Sequence, residues 1–189
     1  MQLLSFLAGF LSAIFAEPIR QWLFRPKIEL RFGSGMDFKT PTPATSGNLI
    51  LQWYVVRVKV KTKTRRLAKS CRAFLMNIEK MNSQGEFERT IYSDSLQLHW
   101  SVREPDDYTS LDLPYQVSQY VDVFFTQQNS RSFLPCFRFF PLRYQGLFEE
   151  QGTFRFTVQV AGDGIRPDSI RLVLEWKGKW DDFNVYRDK

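Results

Sequence analysis

Short segments in which apolar and polar residues alternate recur along most of this chain, and they constrain its fold more than any other feature. In the strongest segment, residues 49–63, one face carries Tyr54, Val56, Val58 and Val60 and the other carries Arg57, Lys59, Lys61 and Lys63. Residues 153–160 and 170–176 alternate in the same way. Because successive side chains of a strand point to opposite faces, each segment predicts a strand with one buried face and one wet face.

Weaker alternation predicts further strands, and turn residues separate them. The segments are residues 27–32, 71–78, 87–92, 118–126 and 133–140, and Pro135 and Pro141 confine the last of them to an edge or shorten it. Residues 33–47, rich in Gly, Ser, Thr and Pro, predict a loop with no regular element. Seven or eight short strands without helical periodicity after residue 24 predict an all-β, immunoglobulin-like antiparallel sandwich over residues 25–189. A closed barrel has a similar strand count and remains an alternative.

The composition suits this fold. Aromatic residues make up 16% of the 189 residues, and Phe alone accounts for 18 positions. Aromatic side chains favour strands and supply large apolar area between packed sheets. The part of the chain after residue 24 is long enough for one domain with a substantial core and gives no sign of a second.

The chain begins with an uncharged run, residues 1–16. As a helix at roughly 1.5 Å per residue, residues 3–24 would extend about 33 Å, close to the thickness of a bilayer core. We therefore predict that residues 1–24 are a single-pass transmembrane anchor. The strictly apolar part, residues 3–16, would extend only about 21 Å, so an interfacial helix and a cleaved signal peptide remain alternatives.

Basic residues lie on one side of the predicted anchor. Arg20, Arg25, Lys27 and Arg31 follow the apolar run that ends at Ala16, and no Lys or Arg precedes Leu3. Cytoplasmic flanks of membrane helices carry an excess of Lys and Arg. The sequence therefore predicts an inner (cytoplasmic) membrane protein with its N-terminus outside and its domain in the cytoplasm, with a periplasmic domain as the alternative.

Small residues recur at spacings of three or four within the predicted anchor: Ser5, Gly9, Ser12, Ala13 and Ala16. At that spacing they share one side of a helix, where small side chains allow helices to pack closely in lipid. The pattern suggests a homo-oligomer, or docking on another membrane protein, through the N-terminal helix. Small residues are also common in any single-pass anchor, which is the alternative explanation.

Metal and catalytic motifs are sparse. Cys71, Cys136 and His99 cannot form a common zinc site without several carboxylates, so no metal or cofactor is predicted. The two thiols would remain reduced in the cytoplasm and could form a bridge only in an exported domain. His99 lies in a predicted strand without a GxSxG motif, which predicts a surface or hydrogen-bonded histidine and no catalytic residue.

Residues 57–72 contain eight basic residues and no acid. The predicted basic face consists of Lys59, Lys61, Lys63, Arg65, Arg66 and Lys69. A positive ridge of this kind suits lipid headgroups, phosphates or an acidic protein. A nucleotide or nucleic acid is less favoured, because no RNA-recognition or OB-fold signature is present. The alternative is a solvated edge whose lysines prevent aggregation. Trp180 and Phe183 are a separate candidate, an exposed aromatic patch for a protein partner.

Three segments resemble a known type of module. RVKVKTKTRRLAKSCRAFL is similar to the strand, turn and strand of bacterial Ig-like modules with a VxNxG turn, and SQYVDVFF and LVLEWKGKW resemble two of their later strands. With its N-terminal segment, the chain resembles uncharacterised bacterial proteins that carry one transmembrane helix and an Ig-like domain. The resemblance implies a module that binds and does not catalyse.

Together, these features predict a membrane-anchored, non-catalytic β-sandwich module that binds a protein partner and assembles at the membrane. The alternative is a membrane sensor or effector of a stress or defence response. In that case the basic face would bind an acidic ligand, namely a nucleotide or a nucleic acid.

Overall fold

A computed structural model describes residues 25–46 and 49–188. Within them lie the strands β1 (Ile28–Arg31), β2 (Lys39–Ser46), β3 (Leu49–Thr62), β4 (Ala68–Met81), β5 (Phe87–Arg89), β6 (Leu96–Trp100), β7 (Leu111–Leu113), β8 (Ser118–Gln127), β9 (Leu134–Pro135), β10 (Gly152–Asp163), β11 (Asp168–Lys179) and β12 (Asp182–Arg187). A 3₁₀ helix, Leu142–Phe148, follows β9. The chain is thus all-β, as predicted, in its described part.

The predicted anchor and its stripe of small residues, Ser5, Gly9, Ser12, Ala13 and Ala16, lie outside the described residues. Across residues 25–46 and 49–188, no helix combines the length and the apolar character that a membrane span requires.

The strands form one curled antiparallel sheet. Its hydrogen-bonded order is β1-β3-β8-β6-β4-β10-β11-β12, and β2 pairs with β3, β5 and β7 with β4, and β9 with β8. Strand β6 is the corner of the sheet, because residues 96–98 pair with β4 whereas His99 and Trp100 pair with β8. The first and second halves of the sheet therefore meet at β6.

The core lies between these two halves. Phe124 of β8 contacts Phe156 of β10 with ring centroids 5.5 Å apart, and Phe133 contacts Trp176 of β11 at the same distance. On β3, Val56, Val58 and Val60 are fully buried, as the alternation predicted. The aromatic residues that were conspicuous in the sequence thus fill the space that the curled sheet encloses.

Two pairs of predicted strands that are consecutive along the chain form hairpins. Strands β10 and β11 pair along their length around a turn in which Gly164 has a φ of 62°, a conformation that glycine adopts without strain. Strands β4 and β5 are joined by a turn in which the side-chain oxygen of Asn82 accepts hydrogen bonds from the N–H groups of Gln84 and Glu86. Local turn chemistry favours both of these pairings.

The prediction of a loop at residues 33–47 is wrong, because β2 occupies residues 39–46 and pairs with β3 throughout. Pro41 and Pro43 masked this strand in the sequence. They are two residues apart, so their missing N–H groups lie on one side of the strand, which an edge strand can leave unpaired. An extended chain with prolines on its open side is also a poor template for further strands.

The C-terminal half departs from the prediction at two places. Residues 133–140 contribute only the two-residue strand β9, consistent with the limit that the prolines impose. Strand β12 was not predicted, since its sequence, DFNVYR, is short and largely polar. It pairs with β11 and places Phe183 in register with Trp176.

Candidate functional site

The predicted basic face divides into a partly neutralised strand region and an exposed turn. On β3, Lys61 lies opposite Glu29 of β1, whose carboxylate is 3.4 Å from the Lys61 ammonium and 3.5 Å from that of Lys63. Lys59 lies opposite Tyr120, with its ammonium 5.6 Å from the ring centroid. The strand lysines therefore have local partners, which the sequence did not reveal.

The exposed residues of the predicted basic face gather at one end of the domain. Lys63, Arg65, Arg66 and Lys69 lie in or next to the β3–β4 turn and are exposed. The N–H of Lys63 donates to the carbonyl of Lys27 at 2.7 Å, and the N–H of Lys27 donates to Thr64 Oγ1 at 3.3 Å. A β-bridge joins Lys27 to Arg166. We call the set Lys27, Lys63, Arg65, Arg66, Lys69 and Arg166 the basic end.

The predicted aromatic patch is not an exposed surface. Phe183 is only 3% exposed and packs against Trp176, with ring centroids 5.9 Å apart. Trp180 is half-buried and stacks on Tyr54 at 5.5 Å. The prediction is therefore wrong for Phe183, because the unforeseen strand β12 carries it into the core.

A buried polar cluster on the outer face of the sheet was not predicted as a unit. Arg57 Nε donates to Asp122 Oδ1 at 2.8 Å, the hydroxyl of Ser101 donates to the same oxygen, and His99 Nδ1 lies 3.3 Å from Oδ2. We call these four residues the Asp122 cluster. A β-bulge in β8 positions it, since the register shift buries both Val123 and Phe124 and sets Asp122 opposite Arg57.

The electrostatics of the Asp122 cluster favour charged partners. Burial alone would raise the pKa of Asp122, but hydrogen bonds from His99 and Ser101 and the charge of Arg57 outweigh it, so the pKa is lowered. Burial would lower the pKa of His99, but the bonds to Asp122 and to the carbonyl of Glu104 outweigh it, so the pKa is raised. Each group stabilises the charged form of the other.

A pocket with a volume of about 330 Å³ opens beside the Asp122 cluster. Its polar lining includes Arg57, His99, Asp122 and Arg103. Its apolar lining consists of Trp53, Val55, Pro105, Tyr108, Phe125, Pro135 and Phe137. We call it the aromatic pocket. Trp53 and Phe125 stack nearly parallel in it, with ring centroids 4.7 Å apart and planes at 9°.

The geometry of His99 differs from that of a Ser-His-Asp triad. Its Nε2 lies 2.7 Å from the carbonyl oxygen of Glu104, which can only accept, so Nε2 carries a proton and donates. The hydroxyl of Ser101 donates to Asp122 and does not bond to the imidazole. A triad requires the opposite arrangement, with the imidazole accepting the serine proton. The hydrogen bonds of the Asp122 cluster therefore hold its charged side chains in fixed positions and stabilise their charges.

The two cysteines are free thiols in different surroundings. Burial, with the nearby charges of Asp112 and Asp163, raises the pKa of Cys71 to about 12. Burial also raises the pKa of Cys136. Both groups stay protonated near neutral pH and are poor nucleophiles there. Among the described residues, no three His, Cys, Asp or Glu side chains group as metal ligands.

Distance along the chain explains why the Asp122 cluster escaped prediction. Arg57 and Asp122 are 65 residues apart, and His99 and Asp122 are 23 apart. A signal was nevertheless present in the sequence. Asp122 interrupts YVDVFF, a run of strong β-formers. If the face of the strand that carries it is covered, an ionised acid there needs a partner.

Comparison of the chain with protein-family models, with curated proteins and with solved structures finds no match.

Proposed function

We propose that this protein is a membrane-tethered binding module. In this proposal residues 1–24 anchor the chain, the basic end lies against anionic lipid, and the rest of the β-domain is held at the membrane for a protein partner. The observation that carries the proposal is the pair of hydrogen bonds that fix Lys27 beside Lys63 and Thr64. They place the basic turn where the chain leaves its apolar N-terminal segment.

The position of this contact limits the orientation of the domain. Lys27 is three residues from Phe24, the last residue of the proposed anchor. An extended chain covers at most about 3.5 Å per residue, so Lys27 stays within about 10 Å of the end of the anchor, and its hydrogen bonds keep Lys63 and Thr64 beside it. That distance is comparable to the Debye length at physiological ionic strength, about 8 Å. The exposed cations are therefore close enough to interact with lipid charge.

The expected strength of the lipid contact is substantial. A Lys or Arg near an anionic leaflet contributes about 1 kcal/mol, and the basic end provides several such residues. Asp163 and Asp168 lie at the same end, and Asp168 accepts a hydrogen bond from the backbone of Leu30 at 3.3 Å. These carboxylates make the net free energy of lipid binding smaller than a count of cations suggests. Because the cations share one end of the domain, the binding also orients the domain on the membrane.

For the architecture we propose an Ig-like sandwich in which β1, β3, β8 and β6 face β4, β10, β11 and β12. The aromatic contacts between Phe124 and Phe156 and between Phe133 and Trp176 support this arrangement. A sandwich with its loops at two ends suits a tethered module, because one end can contact the membrane while the other remains accessible.

A non-catalytic role is part of the proposal. The engagement of both ring nitrogens of His99 and the raised pKa values of Cys71 and Cys136 support it. These groups are the strongest nucleophile and base candidates of the described chain. Each is held in a form that is poorly suited to attack a substrate or to accept its proton.

Hydrogen exchange of the full chain in nanodiscs tests the proposal. Amides of residues 62–68 should exchange several-fold more slowly in discs of phosphatidylserine and phosphatidylcholine than in discs of phosphatidylcholine alone, and added salt should remove the difference. Residues 82–86, at the opposite end of β4, serve as the internal control and should exchange equally in both discs. Equal exchange of residues 62–68 in the two discs would contradict the lipid contact.

Matched variants separate charge from fold. Lys63→Gln together with Arg65→Gln should abolish the protection on anionic discs, because two exposed cations of the basic end are removed. Arg89→Gln together with Arg131→Gln removes the same charge from exposed positions at the other end and should leave the protection intact. Protection by a nucleic acid or a soluble acidic protein in place of anionic discs would favour the ligand-binding alternative.

A further inference from the structure

The aromatic pocket has the size of a small-molecule site. Its volume of about 330 Å³ lies near the lower limit of ligand pockets, about 300 Å³. Trp53 and Phe125, which stack on each other, line one side of it with aromatic surface. Tyr108 borders it from another direction, in edge contact with His99 at 5.3 Å. A single flat ring system fits these walls, and a dinucleotide or a larger ligand does not.

The charge of the lining favours an anion. Arg57, Arg103 and His99 line the pocket against a single carboxylate, Asp122, which already accepts hydrogen bonds from Arg57 and Ser101. Asp107 lies outside the lining, 3.6 Å from Arg103, and offsets part of its charge. The Arg57 side chain remains 24% exposed, so it can still donate to a ligand. A guanidinium group is well suited to a carboxylate or a phosphate.

Two donors in the pocket residues also lack acceptors. Among the described residues, Trp53 Nε1 and Arg103 Nε are buried N–H groups without a hydrogen-bond partner. Buried donors are rarely left unsatisfied in folded proteins. A ligand with acceptor oxygens can satisfy Arg103 Nε when that side chain turns toward the pocket, while the Trp53 ring keeps its stack on Phe125.

Another hollow, of about 560 Å³, is a weaker candidate although it is larger. Long charged side chains line it, and two of them, Lys80 and Glu150, form an ion pair with each other. Arg89 and Glu88 add one further charge of each sign. Arg143, which pairs with Asp94, brings the lining to three cations and two carboxylates, and the hollow lacks an aromatic wall.

We propose that the aromatic pocket is a binding site for a small organic anion, a ligand that carries a carboxylate or phosphate group on a flat ring. The ring lies against Trp53 and Phe125, and the anionic group binds Arg57 and Arg103. The proposal is independent of the lipid contact, since the aromatic pocket lies on the outer face of the sheet and shares no residue with the basic end.

Saturation-transfer NMR on the full chain in phosphatidylcholine nanodiscs tests this site, with empty discs as the background. The probes are benzoate and phenyl phosphate, their neutral analogue benzamide, and inorganic phosphate as a competitor without a ring. Benzoate and phenyl phosphate should bind about tenfold more tightly than benzamide, because a hydrogen bond to a charged group is at stake. Inorganic phosphate should displace them only weakly.

Two variants locate the binding in the pocket. Arg103→Gln should weaken benzoate and phenyl phosphate by about tenfold and leave benzamide unchanged. Thr42→Trp should abolish binding of all three ring probes, since Thr42 lines the pocket from an edge strand and the indole occupies the space that the ring of the probe would take. Arg138→Gln, an exposed arginine outside the lining, should bind like the unmodified chain.

Several results would overturn the proposal. These are the absence of binding by the unmodified chain, equal affinity for benzoate and benzamide, or unchanged benzoate binding in a folded Thr42→Trp variant. Circular dichroism of each variant establishes that it is folded. Because the discs contain only zwitterionic lipid, failure of this test leaves the lipid contact of the basic end unaffected.

Discussion

Residues 57–72 supply most of the basic end, and its side chains lie in water. The Asp122 cluster instead combines residues from separate elements: Arg57 from β3, His99 from β6, Asp122 from β8, and Ser101, which directly follows β6. The Asp122 side chain is only 13% exposed. A charge in water interacts weakly with its neighbours, whereas a buried charge depends on every hydrogen bond it makes. The same residue types are therefore exposed and available to a partner at the basic end, whereas in the Asp122 cluster they are tied to one another.

Glu29 shows that the two regions are not fully distinct. The Glu29 side chain is 19% exposed, and its carboxylate lies near Lys61, Lys63 and Arg31. It therefore neutralises part of the charge of the predicted basic face. Burial would raise the pKa of Glu29, but the bonds from Arg31 and Lys61 outweigh this, and the pKa is lowered. The basic face thus grades from paired lysines on β3 to exposed cations at the turn, and only the turn is suited to a partner.

Removal of the buried carboxylate should have the largest effect. Asp122→Ala leaves Arg57 and His99 in a covered site without their anion, and breaking such a pair costs about 3–5 kcal/mol. Denaturant unfolding of the full chain, followed by fluorescence, measures this loss of the free energy of unfolding. Asp181→Ala, at an exposed position, is the control and should change stability little. A loss for Asp122→Ala as small as that of the control would show that the cluster is not structural.

The next largest effect should come from Gly162, a tightly packed glycine beside the basic end. A Cβ on Gly162 would lie 2.6 Å from the backbone oxygen of Lys69, so Gly162→Ala forces the two strands apart. Overpacking of this kind costs about 1–3 kcal/mol. Gly35→Ala is the control, because a Cβ there meets no atom within 4 Å. Equal stability of the two variants would contradict the close packing of β10 on β4.

Stability should depend on pH through His99. Its folded pKa is raised above the ordinary value of 6.5, so its contribution is fully present below that pH and is lost as the pH rises through the folded pKa. Asp122 acts in the opposite sense, because its lowered pKa means that its contribution is lost only in acid, below its ordinary value of 3.8. The Asp122 cluster should therefore stabilise most between these two values.

The pH dependence can be measured by denaturant unfolding at a series of pH values. The unmodified chain should lose stability on the alkaline side of the ordinary His pKa, and His99→Gln should lose less over the same interval. A profile for His99→Gln that parallels the unmodified chain would assign the dependence to another group.

The smallest effect on stability should come from the basic end. Lys63→Gln with Arg65→Gln should change the free energy of unfolding by no more than about 0.5 kcal/mol, because exposed charges contribute little to folding. The same pair should abolish the protection of residues 62–68 on anionic discs. A large loss of stability would mean that these cations act within the fold, and the contrast between the two regions would no longer hold.

Sequence alternation was sufficient to predict β3, β10 and β11, because in these strands one face is buried along most of their length. It failed for β2 and β12. Strand β2 has prolines on its open side, and β12 is held by pairing with β11 and by the burial of Phe183. Short edge strands depend on a neighbouring strand, and the identity of that neighbour is not a local property.

The candidate sites divide in the same way. The basic residues were found from the sequence because they are contiguous, whereas their pairing with Glu29 was not, since Glu29 and Lys61 lie on different strands. The predicted patch at Trp180 and Phe183 assumed that a C-terminal aromatic pair would be exposed. For the Asp122 cluster the sequence offered only the acid within YVDVFF, and for the aromatic pocket it offered no signal, because both depend on the bulge in β8 and on the corner strand β6.

By itself, the sequence determined the β-class of the domain and the location of its greatest basic density. Both follow from neighbouring residues, through the period of alternation and the spacing of like charges. Only the tertiary structure decided which charges are paired and buried, which aromatic side chains form a core, and which line a pocket. Those outcomes depend on the register between strands distant in sequence, and a shift of one residue would turn Asp122 from the outer face into the core.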